Sequence, residues 1–548
     1  MAALKPKNLW CLLLVIAAIW FGTLEYRKLI KPDEGRYAEI PREMIANGDW
    51  LTPRLNDLKY FEKPPLQYWA TATTYTLFGQ HQWTSRLWPA LTGFFGLLLV
   101  WFAGTRLFGR EAGQYAALLL GSSLLYVAIG HINTLDMGVT FFLTLGVVGL
   151  LLGQQVNASA RSRRNWIYCA WAALALAVLS KGLIGLVLPA ATLILYSILQ
   201  RDLLPWRRIN LVSGLLLFLL IAAPWFILVT KNNPEFFERF FIYEHYTRFS
   251  TKELGRYQPW YYFIPVLLAG MLPWTILMFD TLARTWKDAV YTSAIFNPER
   301  FLLIWAAFIY VFFSASGSKL PSYLLPMFPA LALLMGKRLA EMHERVLLWQ
   351  LAPVLLVPIA ILGFAPFTAK LADSPLKVDM YSDYAVWVSV AATVLLLGLL
   401  VGIKLLTRKR KPLAILIIAL SSLVSAQIML SGYSTLARWR SAYHIAEAVR
   451  PHIKPNVPLY SVGTYEQTLP FYLNRTFTLV DYQDEMAFGI MQEPWRQIPD
   501  IPHFAKVWSE RSAAIAIMPT QLYPKLVRQG LAMQIIFEDT QHIVVSKP

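Results

Sequence analysis

Apolar residues recur in long runs from near the start of this 548-residue chain to about position 430, with short polar stretches between them. The runs lie near 9–24, 87–108, 112–130, 135–153, 166–180, 182–199, 210–229, 259–280, 300–314, 321–336, 347–366, 385–406 and 412–430. A helix needs about 20 such residues to cross the hydrocarbon core of a bilayer, so the pattern predicts a polytopic α-helical membrane protein. Counting the runs gives about 13 transmembrane helices. Two of the divisions rest on charge. The segment 166–199 is almost unbroken apolar sequence, with Lys181 in its middle. A lysine at mid-bilayer costs roughly 2.5–3.5 kcal/mol on insertion scales. Two helices joined by a tight turn at Ser180-Lys181-Gly182 bring that charge to the interface instead. The same reasoning breaks 112–153 at His131-Ile132-Asn133-Thr134-Leu135-Asp136.

Basic residues then orient the chain. With the N-terminus inside, the inner loops carry Arg106 and Arg110, then Arg161, Arg163 and Arg164, then Arg201, Arg207 and Arg208. Arg284 and Lys287, Lys337 and Arg338, and the run Arg408-Lys409-Arg410-Lys411 follow. Such a bias marks cytoplasmic loops. The first run resembles a signal peptide, but Leu24-Glu25-Tyr26-Arg27 is no small-residue cleavage site, so the run is expected to stay as an anchor. An odd number of spans puts the C-terminal segment outside.

The outer loops differ in kind. Those near 25–86 and 231–258 are longer and carry both signs of charge. The first contains two amphipathic stretches of helix length, 33–47 and 64–79, whose Trp and Tyr residues suit helices lying in the interface plane. From about Gly432 the composition becomes that of a soluble protein. Segments 457–462, 477–480, 513–518 and 535–545 read as strands, and 466–473 and 519–529 as helices. The expected division is a membrane domain over 1–431, with the loop 25–86 as part of it, and a small α/β domain over 432–548.

Composition agrees: 56% of residues are hydrophobic, and the mean hydropathy is +0.45. The net charge of +17 would by itself admit a nucleic-acid partner. Loop bias and attraction to anionic lipid account for it, so the phospholipid bilayer is the expected partner and nucleic acid is not. Cys11 and Cys169 both lie in apolar runs, so no structural disulfide is expected.

Candidate chemistry gathers on the outer side. Asp33-Glu34 follows the first span, and first-turn acids of a helix are one reading of it. Ionisable residues then recur at outer ends of spans, at Asp136, Lys181, Arg248 and Lys319, and groups at such boundaries point to function. Lys63 precedes two prolines that stiffen its backbone, although a lysine snorkelling to lipid phosphate would also sit here. Ser318-Lys319-Leu320-Pro321-Ser322-Tyr323 offers a cation and a phenol suited to phosphate. The outer cations Arg36, Lys63, Lys181, Arg248 and Lys319 run against the inside bias, and an anionic substrate supplies a reason for them. No cofactor is called for. A divalent cation would find Glu62 and His245 as ligands, but the chain has no recognisable metal spacing. A flippase or transporter would show internal symmetry and mid-membrane charges, and neither is present.

The order Pro32-Asp33-Glu34-x-Arg36-Tyr37-Ala38-Glu39-Ile40-x-Arg42-Glu43-Met44, followed by Phe61-Glu62-Lys63-Pro64, resembles membrane glycosyltransferases of the GT-C type. Within these it is most similar to the lipid A aminoarabinose transferases. Leu135-Asp136, Lys181-Gly182, Glu244-His245-x-x-Arg248-Phe249, Pro259-Trp260-Tyr261-Tyr262 and Lys319-Leu320-Pro321-x-Tyr323 extend the likeness over the membrane part. Gly35 stands where the family pattern leads one to expect a polar residue, a departure expected to be harmless.

The resemblance implies transfer of 4-amino-4-deoxy-L-arabinose from undecaprenyl phosphate to lipid A phosphates, with inversion, at the periplasmic face of a bacterial inner membrane. The related alternative is a polyprenyl-phosphate-mannose protein O-mannosyltransferase. Asp33, Asp136 and Lys63 are then the expected catalytic residues. Arg36, Tyr37, Tyr60, Glu62, Lys181, Arg248, Lys319 and Tyr323 are expected to bind substrate, and Glu34 to support or cap.

Overall fold

The computed structural model describes the backbone of residues 6–247, 258–288 and 296–547, and the side chains of 10–244, 258–287 and 296–547. Two compact units emerge. One comprises residues 1–27 and 86–435, the other 28–85 and 436–548. The sequence division at 431/432 kept the first outer loop with the spans; the contacts group it with the C-terminal segment.

Among the described residues of the membrane unit, seven helices are long and apolar enough to cross a bilayer, or nine if two bent pairs each count as one span. Trp10–Phe21 and Ile184–Gln200 are shorter apolar helices. The expected break at Lys181 is present: helix Ala160–Lys181 ends there, and Gly182 follows with φ of 90°. A second expected break starts helix Asp136–Gly153 at Asp136. The structure adds breaks the apolar pattern hides. Arg110–Gly121 and Leu124–Gly130 meet at 66°, where Ser122 and Ser123 turn their hydroxyls back onto the carbonyls of Leu118 and Leu119. Trp260–Gly270 and Thr275–Lys287 meet at 112° around Pro273. The run near 321–336 opens as a 3-10 segment, Pro321–Met327, before helix Phe328–Glu341. Prolines at 321, 326 and 329 withhold donors from a regular first turn.

Helices Asp136–Gly153 and Ala160–Lys181 pack antiparallel at close range. A Cβ on Gly149 would lie 2.7 Å from the Trp166 carbonyl oxygen, and one on Gly146 would lie 2.7 Å from Leu174. Small residues permit this approach where lipid gives helices no hydrophobic reason to associate.

The soluble unit is built on a six-stranded sheet. Its strands are β3 (Leu459–Val462), β4 (Thr478–Val480), β5 (Gln497–Ile498), β6 (Ile515–Pro519), β7 (Gln534–Glu538) and β8 (His542–Ser546), in the order β5-β4-β3-β6-β8-β7. β3 to β6 run parallel, and β8 is antiparallel to β6 and β7. The single run expected at 535–545 is thus a hairpin. The expected helices shrink to Leu469–Leu473 and Tyr523–Arg528. β5 and helix Ile501–Glu510 are additions the sequence reading did not contain.

Both faces of the central strands are buried. Leu459, Ile515, Ile517 and Val544 pack with Phe471 and Tyr472, and with Leu29, Ala38 and Tyr75 of the first outer loop. Tyr460, Val462, Ala516, Met518 and Val545 face the other way onto Phe504 and Trp508. A sheet covered on both sides reads as apolar runs rather than strict alternation. The first outer loop is therefore one layer of this domain. Its helix Asp33–Asn47 has ten buried residues, among them Glu34, Arg36, Glu39 and Glu43. The polar face of Asp33–Asn47 points into protein.

The loop is fixed by its polar groups. A hairpin joins β1 (Arg54–Leu55) and β2 (Leu58–Lys59) through Asn56 and Asp57, whose φ angles of 54° and 64° suit a type I′ turn. The Glu43 carboxylate accepts from both turn N–H groups, at 2.5 and 2.7 Å. Asn56 exchanges two hydrogen bonds with the backbone of Phe477, at 2.7 and 2.8 Å. Arg54 pairs with Glu493 at 2.9 Å, and Arg496 with Asp57. Lys31 and His542 both reach Glu466, at 2.7 and 3.1 Å.

Gly35, where the resemblance leads one to expect a polar residue, lies against backbone. A Cβ there would stand 2.6–2.7 Å from the main chain of Gln467 and Thr468. Gly35→Ala is expected to destabilise the protein by about 1–3 kcal/mol through overpacking. Gly363→Ala, with nothing within 4 Å, serves as the tolerated control. Thermal melting of the two purified variants would test this, and equal midpoints would refute it.

Glu466 yields a pH prediction. Burial alone would raise its pKa, but the bond from His542 and the charge of Lys31 hold it below the ordinary value. A depressed carboxylate stabilises the fold above the unfolded pKa of about 4.3, and this contribution is lost as pH falls through the folded value. Melting midpoints followed from pH 7 to pH 3 are expected to fall steeply in the acid limb, and less steeply for Glu466→Gln.

Candidate active site

In the soluble unit the candidate residues sit at the start of helix Asp33–Asn47 and on the irregular segment 60–65 that follows the strand Leu58–Lys59. Asp33 is the first helical residue, after Pro32, and no side chain caps this end. Its carboxylate lies 3.4 Å from Arg36, one turn on. Glu34 has no solvent exposure and accepts from the Ile30 N–H at 3.0 Å. Of the two neighbouring acids, Glu34 ties the chain entering the helix and Asp33 remains partly exposed.

Arg36 is the centre of this group. Its guanidinium is buried, pairs with Glu485 as well as Asp33, and stands 5.9 Å from the Tyr60 ring centroid. Burial alone would make the cation easier to discharge. The charge of Glu485 and Glu62, with the Tyr60 and Tyr37 phenols, reverses this and holds Arg36 above its ordinary pKa. A planar fork engaging two carboxylates is fixed in orientation as well as charge. Burial pushes the Tyr37 and Tyr60 phenols up, with Asp33 adding to Tyr37, so both keep their protons. The Tyr60 hydroxyl is buried and has no hydrogen-bond partner among the described residues. Lys63 donates to the Glu62 carbonyl at 2.8 Å, a local bond on a backbone stiffened by Pro64 and Pro65.

Glu485 was not among the residues singled out from sequence. It follows Asp484 in a polar turn of the C-terminal segment, and no local pattern separates it from a solvated acid. Only the fold brings it to Arg36, and Gln467 steadies it at 2.7 Å. Burial raises its pKa, against the pull of Arg36.

In the membrane unit the helix hairpin brings together residues far apart in sequence. Asp136 opens one helix and Lys181 closes its partner, so each charge complements the dipole of its own helix. The two side chains form an ion pair. Lys181 also lies 4.8 Å from the ring centroid of Tyr323, which packs on Phe313 at 5.1 Å. Lys319 donates to the carbonyls of Ser316, at 2.6 Å, and Gln258, at 3.0 Å, tying two segments together. Glu244 is buried and lies 3.4 Å from Arg239. Arg248 and the side chain of His245 lie outside the described residues. Among the described residues no group of three or more His, Cys, Asp or Glu is placed to hold a metal ion.

Residues 8–240 match the family described as dolichyl-phosphate-mannose-protein mannosyltransferase, and residues 445–547 the aminoarabinose transferase C-terminal domain. The undecaprenyl phosphate-alpha-4-amino-4-deoxy-L-arabinose arabinosyl transferase of Erwinia tasmaniensis is 34% identical over 59% of this chain and 58% of its own length. The match thus spans less than two thirds of that curated relative. The crystal structure of ArnT from Cupriavidus metallidurans bound to undecaprenyl phosphate superposes with a TM-score of 0.93 at 38% identity, covering 99% of this chain and 98% of that one. The archaeal oligosaccharyltransferase AglB from Archaeoglobus fulgidus, at 14% identity and a TM-score of 0.51 over 94% of this chain and 70% of its own, shares the fold. With the helical membrane part and the sheet domain described above, this chain belongs to the ArnT family of GT-C membrane glycosyltransferases.

Proposed function

We propose that the chain transfers 4-amino-4-deoxy-L-arabinose from undecaprenyl phosphate to phosphate groups of lipid A, at the periplasmic face of the inner membrane. Membership of the ArnT family across nearly the whole chain is the observation that carries this reading. The basic runs on alternate loops support the orientation. Each transfer adds a cationic amino group to an anionic lipid, which weakens the hold of cationic antimicrobial peptides such as polymyxin.

In the reaction the acceptor phosphate oxygen attacks the anomeric carbon, and the bond from that carbon to undecaprenyl phosphate breaks. The leaving phosphate keeps the electron pair and needs neutralising charge. Lys63 is assigned this task, because its ammonium is the cation that the stiffened Lys63-Pro64-Pro65 backbone holds beside Glu62. Asp33, steered by Arg36, is assigned to the amino sugar or to the positive charge developing at the anomeric carbon. In the membrane unit Lys181, aligned by Asp136 beside Tyr323, is assigned to lipid phosphate. Arg248 keeps the same assignment. Lys319 is reassigned from phosphate binding to holding its loop, because two of its donors serve carbonyls.

A protein O-mannosyltransferase is the second reading, favoured by the family match of residues 8–240. The acceptor separates the two. A phosphate is already anionic and needs no general base, whereas a serine hydroxyl needs one, typically worth about 10²–10⁴-fold. In cells whose own transferase is deleted, lipid A mass spectra are expected to show the aminoarabinose increment with the wild-type chain and to lose it with Asp33→Ala. Turnover of Asp33→Asn is expected to fall less than about 10²-fold, short of the loss of a general base. Unmodified lipid A alongside glycosylated protein would support the mannosyl reading instead.

Glu485→Gln removes the buried counter-charge of Arg36 and keeps the hydrogen-bonding shape. It is expected to cost about 1–3 kcal/mol of stability and to lower kcat more than it raises KM for donor. Melting and steady-state kinetics together check this; wild-type kcat with only a lowered midpoint would make Glu485 purely structural.

A further inference from the structure

An apolar cavity of about 190 Å³ lies between helices Pro6–Phe21, Gln82–Phe108, Arg110–Gly121 and Lys411–Gly432 of the membrane unit. Leu12, Ile16, Leu97, Ala117, Leu416 and Leu420 are among the residues that line it. It exceeds the cavities of about 150 Å³ that admit small hydrocarbons such as benzene. Gln114 also lines it, and the Gln114 amide nitrogen is buried without a hydrogen-bond partner among the described residues.

Hydrocarbon alone gives no preference for such a groove, because the surrounding lipid is equally apolar. Polar features at one end supply the selectivity. Pro412 and Leu413 line the cavity, and the exposed residues Arg408, Lys409 and Arg410 stand just before them, with Lys411 between. Arg110, also exposed, begins the helix that carries Gln114. Glu111, the acid at this end, is engaged by the Tyr115 hydroxyl at 2.7 Å. Lys411 is turned inward onto the carbonyls of Ala340 and Met342, at 3.3 and 2.7 Å. A basic edge over an apolar groove between spans matches the chemistry of an anionic lipid headgroup above its acyl chain. The Gln114 amide can donate to the ester carbonyl between them.

We infer that this groove is a binding site for an anionic diacyl phospholipid: one acyl chain lies between the four helices, and the headgroup phosphate sits by Arg408, Lys409 and Arg410. The proposal does not depend on which sugar the enzyme transfers or on its acceptor.

Native mass spectrometry of the full chain in detergent, titrated with dioleoylphosphatidylglycerol and separately with dioleoylphosphatidylcholine, tests it. One phosphatidylglycerol adduct is expected to form at least about tenfold more tightly than its phosphatidylcholine counterpart. Ala117→Trp, which fills the groove, should abolish that adduct. The triple variant Arg408→Gln, Lys409→Gln, Arg410→Gln keeps the helices intact and should reduce the preference to about twofold or less. Equal binding of the two lipids by the wild type would overturn the proposal. So would a preference unchanged in the triple variant, or displacement of the adduct by undecaprenyl phosphate at equimolar concentration.

Discussion

A charge taken out of water must meet an opposite charge or a full set of hydrogen bonds, and this requirement shapes both units of the protein. Removing one member of a buried ion pair typically costs about 3–5 kcal/mol, because the other is left uncompensated. Arg36 with Glu485, Lys31 with Glu466, and Asp136 with Lys181 all meet the requirement. In each case the partner comes from a distant part of the sequence. The pairs therefore fix which segments lie together as well as how firmly.

In the soluble unit this explains why the first outer loop is a layer of the C-terminal domain. Its helix buries carboxylates and a guanidinium that a lipid surface could not satisfy, and the sheet domain supplies Glu485, Glu466, Glu493 and the backbone of Phe477 to receive the loop. The arrangement holds Asp33 and Lys63 on a rigid base while leaving them partly accessible. Preorganised charge of this kind is what transfer to and from a phosphate requires, since such sites act by position and electrostatics more than by proton transfer.

In the membrane unit, glycines on one helix let a second helix approach closely enough for Asp136 at one terminus to meet Lys181 at the other. Close packing and charge pairing support each other there. Tyr323 joins them from a proline-broken segment, whose irregular backbone presents the phenol.

The membrane class, the breaks at Lys181 and Asp136, and the crowding of charged residues between Asp33 and Lys63 were legible in the sequence. Each rests on local physics: hydrocarbon thickness sets the length of apolar runs, and the cost of a charge in lipid marks where they must stop. The parts that were not legible depend on distant partners. The Ser122–Ser123 bend lies inside an unbroken apolar run, so hydropathy passes over it. Glu485 looks like any acid in a turn until the fold sets it on Arg36. Gly35 looks dispensable until the main chain of Gln467 is packed against it. The sequence alone determined what had to be in the membrane and where charge was out of place. The tertiary structure decided which charges were partners, because pairing depends on separations of a few ångströms between segments tens to hundreds of residues apart.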